Sequence, residues 1–335
     1  MLRHAPRNEA VRRHLRSDLE YRMNLHQLRI VRETARRKFN LTEVAAALYL
    51  AQSGVSKHIK ELEDELGVEL FVRRGKRLLG LTEPGKELLV VAERMLHDAQ
   101  NIRQLADQFS QKDAGRLDIA TTHTQARYAL PEVVRRFRSE FPKVHLALQQ
   151  ASPREIVRTL NEGEADIGIA TESVAREPTL VAFPFHHWRH AAVVPKGHPL
   201  TRLDKVTLAD LAEHPLITYQ PEYTGRTKID AAFAREGLAP DIVMSAVDAD
   251  VIKTYVELGL GVGIVAALAV APGRASDLVV LPVGDLFELN TTWIAVRRGH
   301  YLRGFGYRFI ELCSAELTED TVRRSLNPER DPSLP

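Results

Sequence analysis

Two groups of residues in this sequence have the types and spacing to do chemistry. The first is Thr121-Thr122-His123-Thr124-Gln125, which puts three hydroxyls and a side-chain amide into five positions. Such groups donate hydrogen bonds without carrying a formal cation. At a helix N-terminus, together with free backbone N–H groups, they can hold an oxyanion. Thr171 and the run Thr224-Gly225-Arg226 supply further hydroxyls at positions that read as a strand end and a helix start. Simple N-capping would also account for Thr122 and Thr124. The second group is Ser53, Ser56, Lys57 and Lys60, with Gln52 just before them. At helical spacing these four share one outward stripe. Short hydroxyls, an amide and two long cations suit base-edge hydrogen bonds and phosphate contacts.

Each group needs elements to position it. From Leu25 the apolar residues take helical spacing, and Leu25, Leu28, Val31 and Ala35 form one stripe ending near Phe39-Asn40. Thr42 is expected to cap a second short helix with Val44, Ala45 and Leu48 inward. After Ala51-Gln52-Ser53-Gly54 a third helix runs to Leu66 and closes on Gly67, with Val55, Ile59, Leu62 and Leu66 on its buried face. Glu61, Glu63, Asp64 and Glu65 crowd its far end, so it would enter a DNA groove by its N-terminus. Two short strands, Val68–Arg73 and Leu78–Thr82, flank the basic tip Arg74-Gly75-Lys76-Arg77. Arg73, Arg74 and Lys76 therefore join Gln52, Ser53, Ser56, Lys57 and Lys60 as expected DNA contacts. Three short helices and a basic hairpin make a winged helix-turn-helix over residues 23–82.

Glu83-Pro84 opens a long helix to about Phe109, within a linker expected over residues 83–112. Leu88, Met95, Ile102 and Phe109 recur every seven residues, and Ala92, Ala99 and Ala106 sit four beyond the first three. That is a seam for a partner helix, and its alanines allow close approach. A helix packed on its own body would show the same stripe. The pairing of two reading heads on a two-fold symmetric operator favours a homodimerising linker.

From Arg116 strands alternate with helices. Leu117–Thr121, Val144–Gln149 and Ala165–Ala170 read as strands, with helices at Thr124–Glu140 and Pro153–Glu162 between them. This order implies a mostly parallel sheet. A second series from about Val193 to Leu281 includes Ile242–Ser245, a helix at Asp250–Leu258 and Val262–Ala266. A last strand, Thr292–Arg297, is expected to return to the first lobe before a C-terminal helix over Leu302–Ala315. The result is an α/β body of two lobes joined by two crossovers, over residues 113–326. Ligands in such sheets sit beyond strand carboxyl ends, which brings the threonines to one cleft.

Composition limits the alternatives. At 335 residues, 44% hydrophobic and 27% charged, the chain is globular and long enough for two or three domains. Its formal charge of +2 is uneven: Met1–Thr82 holds 17 Lys+Arg against 10 Asp+Glu, and the remainder 29 against 34. A basic head on an acidic body fits a polyanion partner. Met1–Arg22 reads as a flexible basic extension and 327–335 as a disordered tail. The extension has no apolar core of a signal peptide, and the longest weakly polar stretch, Leu258–Gly273, is too short to span a bilayer. A cytoplasmic protein with no membrane partner is expected. The single cysteine, Cys313, excludes an intrachain disulfide and Cys-built metal centres. His186-His187-x-x-His190 lacks the accompanying ligands of a metal site, and Gly259-Leu260-Gly261-Val262-Gly263 follows a helix where a dinucleotide loop would precede one. No nucleophile elbow, phosphate loop or zinc-protease motif occurs. The chain is expected to be no enzyme and to carry no cofactor or metal.

Leu62-Glu63-Asp64-Glu65-Leu66-Gly67-Val68-Glu69-Leu70-Phe71 and Leu81-Thr82-Glu83-Pro84-Gly85 resemble the DNA-binding domain of LysR-type transcriptional regulators. Thr121 to Pro131, His187-Trp188, Tyr223 to Arg226 and Asp248 to Tyr255 resemble the CysB/Cbl group, which controls sulfur assimilation. The likeness covers roughly Met23 to Ala315. It implies a periplasmic-binding-protein-like (type 2) effector domain, a dimer or dimer of dimers, promoter DNA and RNA polymerase as partners, and a sulfur-pathway effector. The candidates it implies are O-acetylserine, N-acetylserine, sulfate, thiosulfate and adenylyl sulfate. By position, Thr122, Thr124, Gln125, Thr171 and Thr224 would bind the anion and Trp188 would line the cleft. A Cbl-type regulator of alkanesulfonate use would share these motifs. Two residues depart from the pattern: Ser53 replaces a proline at the start of the recognition helix, and His186 replaces an aromatic residue.

Overall fold

The computed structural model describes residues 23–75, 77–110, 113–270 and 277–326. The basic extension, Lys76, residues 111–112 and the tail from 327 lie outside the described residues. The chain separates into two compact units, Met1–Arg103 and Gln104–Pro335.

The first unit contains α1 (Leu25–Arg36), α2 (Leu41–Leu48), α3 (Gln52–Leu66), β1 (Phe71–Arg74) and β2 (Arg77–Leu81), followed by the long α4 (Glu83–Ser110). Asn24 and Gln27 close a reciprocal capping box at the start of α1. Asn40, not Thr42, caps α2: its side-chain oxygen accepts from the N–H groups of Thr42 and Glu43 at 3.1 and 3.4 Å. Asn is as good a cap as Thr and stands two residues earlier, in extended backbone. α3 starts at Gln52, one residue ahead of Ser53, and ends at Gly67 with φ +69°. Val55, Ile59 and Leu62 are buried with Ile30, Val31, Val44, Leu70 and Phe71. Leu66, expected inward, is exposed at the last turn of α3.

β1 is shorter than the sequence suggested because Glu63 intervenes, while β2 keeps five residues and starts one earlier, at Arg77. The Glu63 carboxylate accepts from the N–H groups of Leu70 (2.8 Å) and Phe71 (3.2 Å), so the approach to β1 is held by a side chain and pairing starts at Phe71.

The second unit is two α/β lobes. The strands of the first are β3 (Ala114–Thr121), β4 (Lys143–Gln150), β5 (Ile167–Ala170), β6 (Leu180–Trp188) and β12 (Asn290–Arg297), ordered β4-β3-β5-β12-β6. Those of the second are β7 (His190–Pro195), β8 (Leu216–Tyr219), β9 (Ile242–Ala246), β10 (Val262–Ala266) and β11 (Leu278–Leu281), ordered β11-β7-β10-β8-β9. The chain crosses between lobes at Arg189 and returns between β11 and β12. Each sheet has one strand opposed to its neighbours, β12 and β7, and each is the strand that arrives by a crossover. The expected return of the last strand to the first lobe is what the pairing shows.

α5 (Pro131–Glu140), α6 (Pro153–Glu162), α10 (Gly304–Cys313) and α11 (Glu319–Leu326) belong to the first lobe; α7 (Leu208–Ala212), α8 (Thr224–Arg235) and α9 (Ala249–Glu257) belong to the second. α11 has no counterpart in the sequence expectations, yet it buries Val322 and Leu326 in the first lobe's core. The helix expected over Thr124–Glu140 is broken: Gln125–Ala129 forms one wide turn, closed by Leu130 N–H donating to the Gln125 carbonyl at 3.0 Å. Pro131 has no N–H to continue that ladder and starts α5 afresh. A glycine lies under one helix in each lobe. A Cβ on Gly168 would come within 2.6 Å of Leu160 on α6, and one on Gly263 within 2.8 Å of Val256 on α9. The same close helix-on-strand approach thus occurs twice.

Candidate functional site

The ends of β3, β5, β6 and β8 and the start of α8 converge on a cavity between the two lobes. Its free volume is about 30 Å³, and it is lined by Thr122, Thr124, Gln125, Thr171, Trp188, Tyr219, Tyr223, Gly225 and Ala266. In the observed closure that is room for about one or two water-sized groups. Five of the six expected effector residues line it. The sixth, Thr224, begins α8 beside Gly225, and its side chain lies outside what is described.

The chemistry of this wall is set by its neighbours. Gln125 is buried, and its Oε1 pairs with His186 Nε2 at 2.9 Å. Burial lowers the His186 pKa, so the neutral ring donates to that oxygen and leaves the Gln125 –NH2 for other acceptors. Tyr219, also buried, accepts from the Ala266 N–H at 2.9 Å, and burial pushes its phenol well above the usual range. Tyr219, Tyr223 and Gly225 were not picked out as site residues from the sequence. An aromatic residue in an apolar strand looks like core, and only the facing lobe makes it a wall.

On one flank of the cavity, Asp250 of α9 receives a group of first-lobe side chains. Tyr128 Oη donates to its Oδ1 at 2.6 Å, Arg127 Nε lies 2.7 Å from Oδ2 and His123 Nε2 3.4 Å from Oδ2. Lys253, 3.0 Å from Asp250, also donates to Tyr128 Oη at 3.1 Å. On the other flank, Glu172 pairs with Lys228 Nζ at 2.6 Å and accepts from the Thr291 N–H at 2.9 Å. These bridges hold the lobes in the observed closure. Burial raises the Asp250 pKa, but the hydrogen bonds from Tyr128 and Lys253 outweigh it and hold the carboxyl below the usual range. The stability it adds is present above the unfolded aspartate value near ~4 and is lost as pH falls through the lower folded value. Asp250→Asn is therefore expected to lower the melting temperature at pH 7 by about 2–4 °C, the effect of ~1 kcal/mol in a unit of this size. In a pH series of melting curves, the gap between wild type and variant should close below about pH 4.

His123, Asp248 and Asp250 place one ligand atom each within 4.8 Å of one another. Arg127 and Lys253 already supply cations to Asp250, so the group is an interlobe ion-pair network.

In the first unit, Gln52, Ser53, Lys57 and Lys60 are exposed along α3 and Ser56 is half-buried. Ala51, the N-cap, offers no side-chain acceptor, which leaves the first N–H groups of α3 open to a phosphate. Arg74 is exposed at the end of β1. Arg73 is instead drawn to Glu63 Oε2 at 2.5 Å, which ties the wing to α3. Lys38, Thr42, Gln52 and Arg77 line a shallow groove between wing and helices. Lys38 and Arg77 were not singled out as contacts, since neither lies on the α3 stripe.

Along α4, Ala92 is 1% exposed and buried within its own unit, and Leu88 is half-buried against the same core. The exposed large apolar residues are Val90 (68%), Val91, Met95, Ile102 (66%), Leu105 and Phe109 (85%). Of the expected seam, Met95, Ile102, Ala106 and Phe109 are exposed, Leu88 and Ala99 are half-buried, and Ala92 is buried. The last turns of α4, from Gln104 on, belong to the second unit and bond within it. Gln104 Nε2 donates to Asp166 Oδ1 (3.3 Å), Arg303 Nη2 to the carbonyls of Asp107 (3.3 Å) and Ala114 (2.9 Å), and Gly304 N–H to Gln108 Oε1 (3.0 Å).

The pattern of the bacterial regulatory helix-turn-helix protein, lysR family, matches residues 25–86, and that of the LysR substrate binding domain matches residues 110–318. The chain belongs to the LysR family. It is 57% identical to the HTH-type transcriptional regulator SsuR of Burkholderia cenocepacia over 300 residues, covering 90% of this chain and 97% of that protein. It is 55% identical to the HTH-type transcriptional regulator cbl of Escherichia coli K12 over 304 residues, covering 91% and 96%. The crystal structure of the cofactor-binding domain of the Cbl transcriptional regulator superposes with a TM-score of 0.62 at 51% identity, covering 64% of this chain and 93% of that one. This LysR protein is thus a DNA-binding transcriptional regulator of the CysB/Cbl group and not an enzyme. No helix among the described residues is long and apolar enough to cross a membrane.

Proposed function

We propose that this LysR-family regulator controls sulfur-assimilation promoters from the cytoplasm, and that a small sulfur oxyanion in the interlobe cavity sets its DNA-bound form. One observation carries the effector class: among the described residues no Asp, Glu, Lys or Arg lines the cavity, and the polar groups that do are hydroxyls, an amide and an indole. Neutral donors in a closed space can take a dehydrated oxyanion through hydrogen bonds alone. The ammonium of O-acetylserine would find no carboxylate there. Sulfate, thiosulfate, adenylyl sulfate and N-acetylserine therefore rank above it, with Thr122, Thr124, Gln125, Thr171, Trp188 and Thr224 as the contacts. Residues 23–82 read DNA with Gln52, Ser53, Ser56, Lys57, Lys60, Arg73, Arg74 and Lys76. Residues 83–112 link and dimerise, residues 113–326 bind effector, and RNA polymerase is the further partner of a homodimer or homotetramer.

Melting the full-length protein with each compound tests this. A ligand present at 100 times its Kd stabilises by about 2.7 kcal/mol, and at least one of the four oxyanions should do so more strongly than O-acetylserine. No stabilisation by any of them removes the effector assignment. The match to the cbl regulator over most of both chains favours a Cbl-type role in alkanesulfonate use. Stronger binding at a sulfonate-utilisation promoter than at a cysteine-biosynthesis promoter would bear that out.

A further inference from the structure

The cavity as closed is too small for any of the candidate effectors. Its free volume of about 30 Å³ is less than the four oxygens of sulfate need, and N-acetylserine and adenylyl sulfate are larger still. Binding must therefore move the walls apart, and whatever holds them at the observed spacing opposes binding.

The side chains that hold them lie on the same short segment as the cavity donors. Between β3 and α5 the chain sends Thr122, Thr124 and Gln125 to the cavity and His123, Arg127 and Tyr128 to α9 of the second lobe. The Tyr128 ring packs against the second-lobe cluster that includes Tyr219, Ala246 and Ala249. Its Oη donates to Asp250 Oδ1 at 2.6 Å and accepts from Lys253 Nζ at 3.1 Å. Arg127 Nε and His123 Nε2 complete the grip on Asp250 Oδ2 at 2.7 and 3.4 Å. The bridge on the other flank is placed differently. Lys228 Nζ also donates to the Leu289 carbonyl, and Glu172 accepts from the Thr291 N–H, so that bridge is fastened to the chain returning between the lobes. A hinge movement about the crossovers can keep the Glu172 pair while it separates Tyr128 from Asp250.

We propose that Tyr128 and Asp250 form a latch that sets effector specificity by size: it favours the narrow cavity, so an oxyanion binds against it, and a larger one more so than a smaller one. His123, Arg127 and Tyr128 are interleaved with the cavity donors. A ligand that widens the wall at Thr124 and Gln125 therefore pulls the same segment off α9. The cost shows as an apparent affinity reduced by the fraction of molecules whose latch is open. The inference rests on the cavity being the effector site, and the two claims fail differently.

The test titrates full-length protein calorimetrically with sulfate and with adenylyl sulfate, beside Asp250→Ala and Tyr128→Phe. Asp248, not Asp250, caps α9, accepting from the N–H groups of Asp250 and Val251 at 2.9 Å each, so Asp250→Ala keeps the helix start. Melting without ligand shows that each variant folds. Asp250→Ala should bind adenylyl sulfate about 5-fold or more tighter than wild type, with sulfate gaining about 2-fold or less. Tyr128→Phe, which keeps the ring, should shift both in the same directions by smaller factors, and it decides alone if Asp250→Ala does not fold. Damage to the fold would weaken both ligands, so a gain concentrated on the larger one separates the latch from a structural role. Adenylyl sulfate bound no tighter by the variants, or both anions tightened equally, overturns the latch and leaves the cavity assignment standing. If neither wild type nor variants bind either anion, the cavity assignment itself falls and the latch with it.

Discussion

Ile102→Asp with Phe109→Asp is expected to convert the protein to monomers and to weaken operator binding by 10²–10⁴-fold. Both side chains are exposed on α4. With Leu105 they form an exposed apolar row spaced by three and four residues at the end of a 28-residue helix, which fits a partner helix in a two-stranded seam. The large effect comes from geometry, not from contacts with DNA. With two heads joined, the second head binds at an effective concentration set by the linker, and avidity of that size disappears with the joint. Sedimentation velocity and fluorescence anisotropy on a two-half-site operator would measure both. The isolated substitution Ala92→Ser should leave assembly intact, because Ala92 is buried within its own unit and not on the open stripe. Retention of the dimer in the double variant would mean that α4 is not the joint.

The second large effect is expected at Thr122. Thr122→Val keeps the branched shape and removes one hydroxyl from the cavity. A hydrogen bond to a charged group contributes about 1.5–3 kcal/mol, so sulfate affinity should fall roughly 10- to 150-fold. The Thr122 backbone N–H, which donates to the Ile169 carbonyl at 3.3 Å, is untouched, so melting without ligand should barely change. An affinity that stays within 3-fold of wild type would reduce Thr122 to a structural residue at the end of β3. Binding lost together with melting temperature would point to misfolding instead, and Thr122→Ser, which restores the hydroxyl, separates the two cases.

The parts of this molecule legible in the sequence are those with local physical marks. Pro153 at the first helical position and Gly163 just past the end bound α6, and Gly261 marks where the apolar run of β10, Val262–Ala266, begins. The threonines were legible as a site because hydroxyls at strand ends are unusual enough to count. Elements without such marks were missed. β6 contains Pro184 and two adjacent histidines and shows no regular alternation. α11 has one apolar residue per turn. Glu63 shortened the wing through a contact eight residues along, which periodicity does not carry. The bridges that hold the cleft join Tyr128 to Asp250 and Lys228 to Glu172, residues far apart in sequence, so only the fold brings them together.

The most direct measurement is a DNase footprint of the full-length protein on a sulfur-gene promoter, run at two salt concentrations, with and without a sulfur oxyanion. The account predicts protection of two half-sites that weakens steeply with salt, and a change in the extent or bending of that footprint when the oxyanion is added. The change should be absent in Thr122→Val. Protection identical with and without sulfate, thiosulfate, adenylyl sulfate and N-acetylserine would contradict the claim that the interlobe cavity controls how this protein sits on DNA.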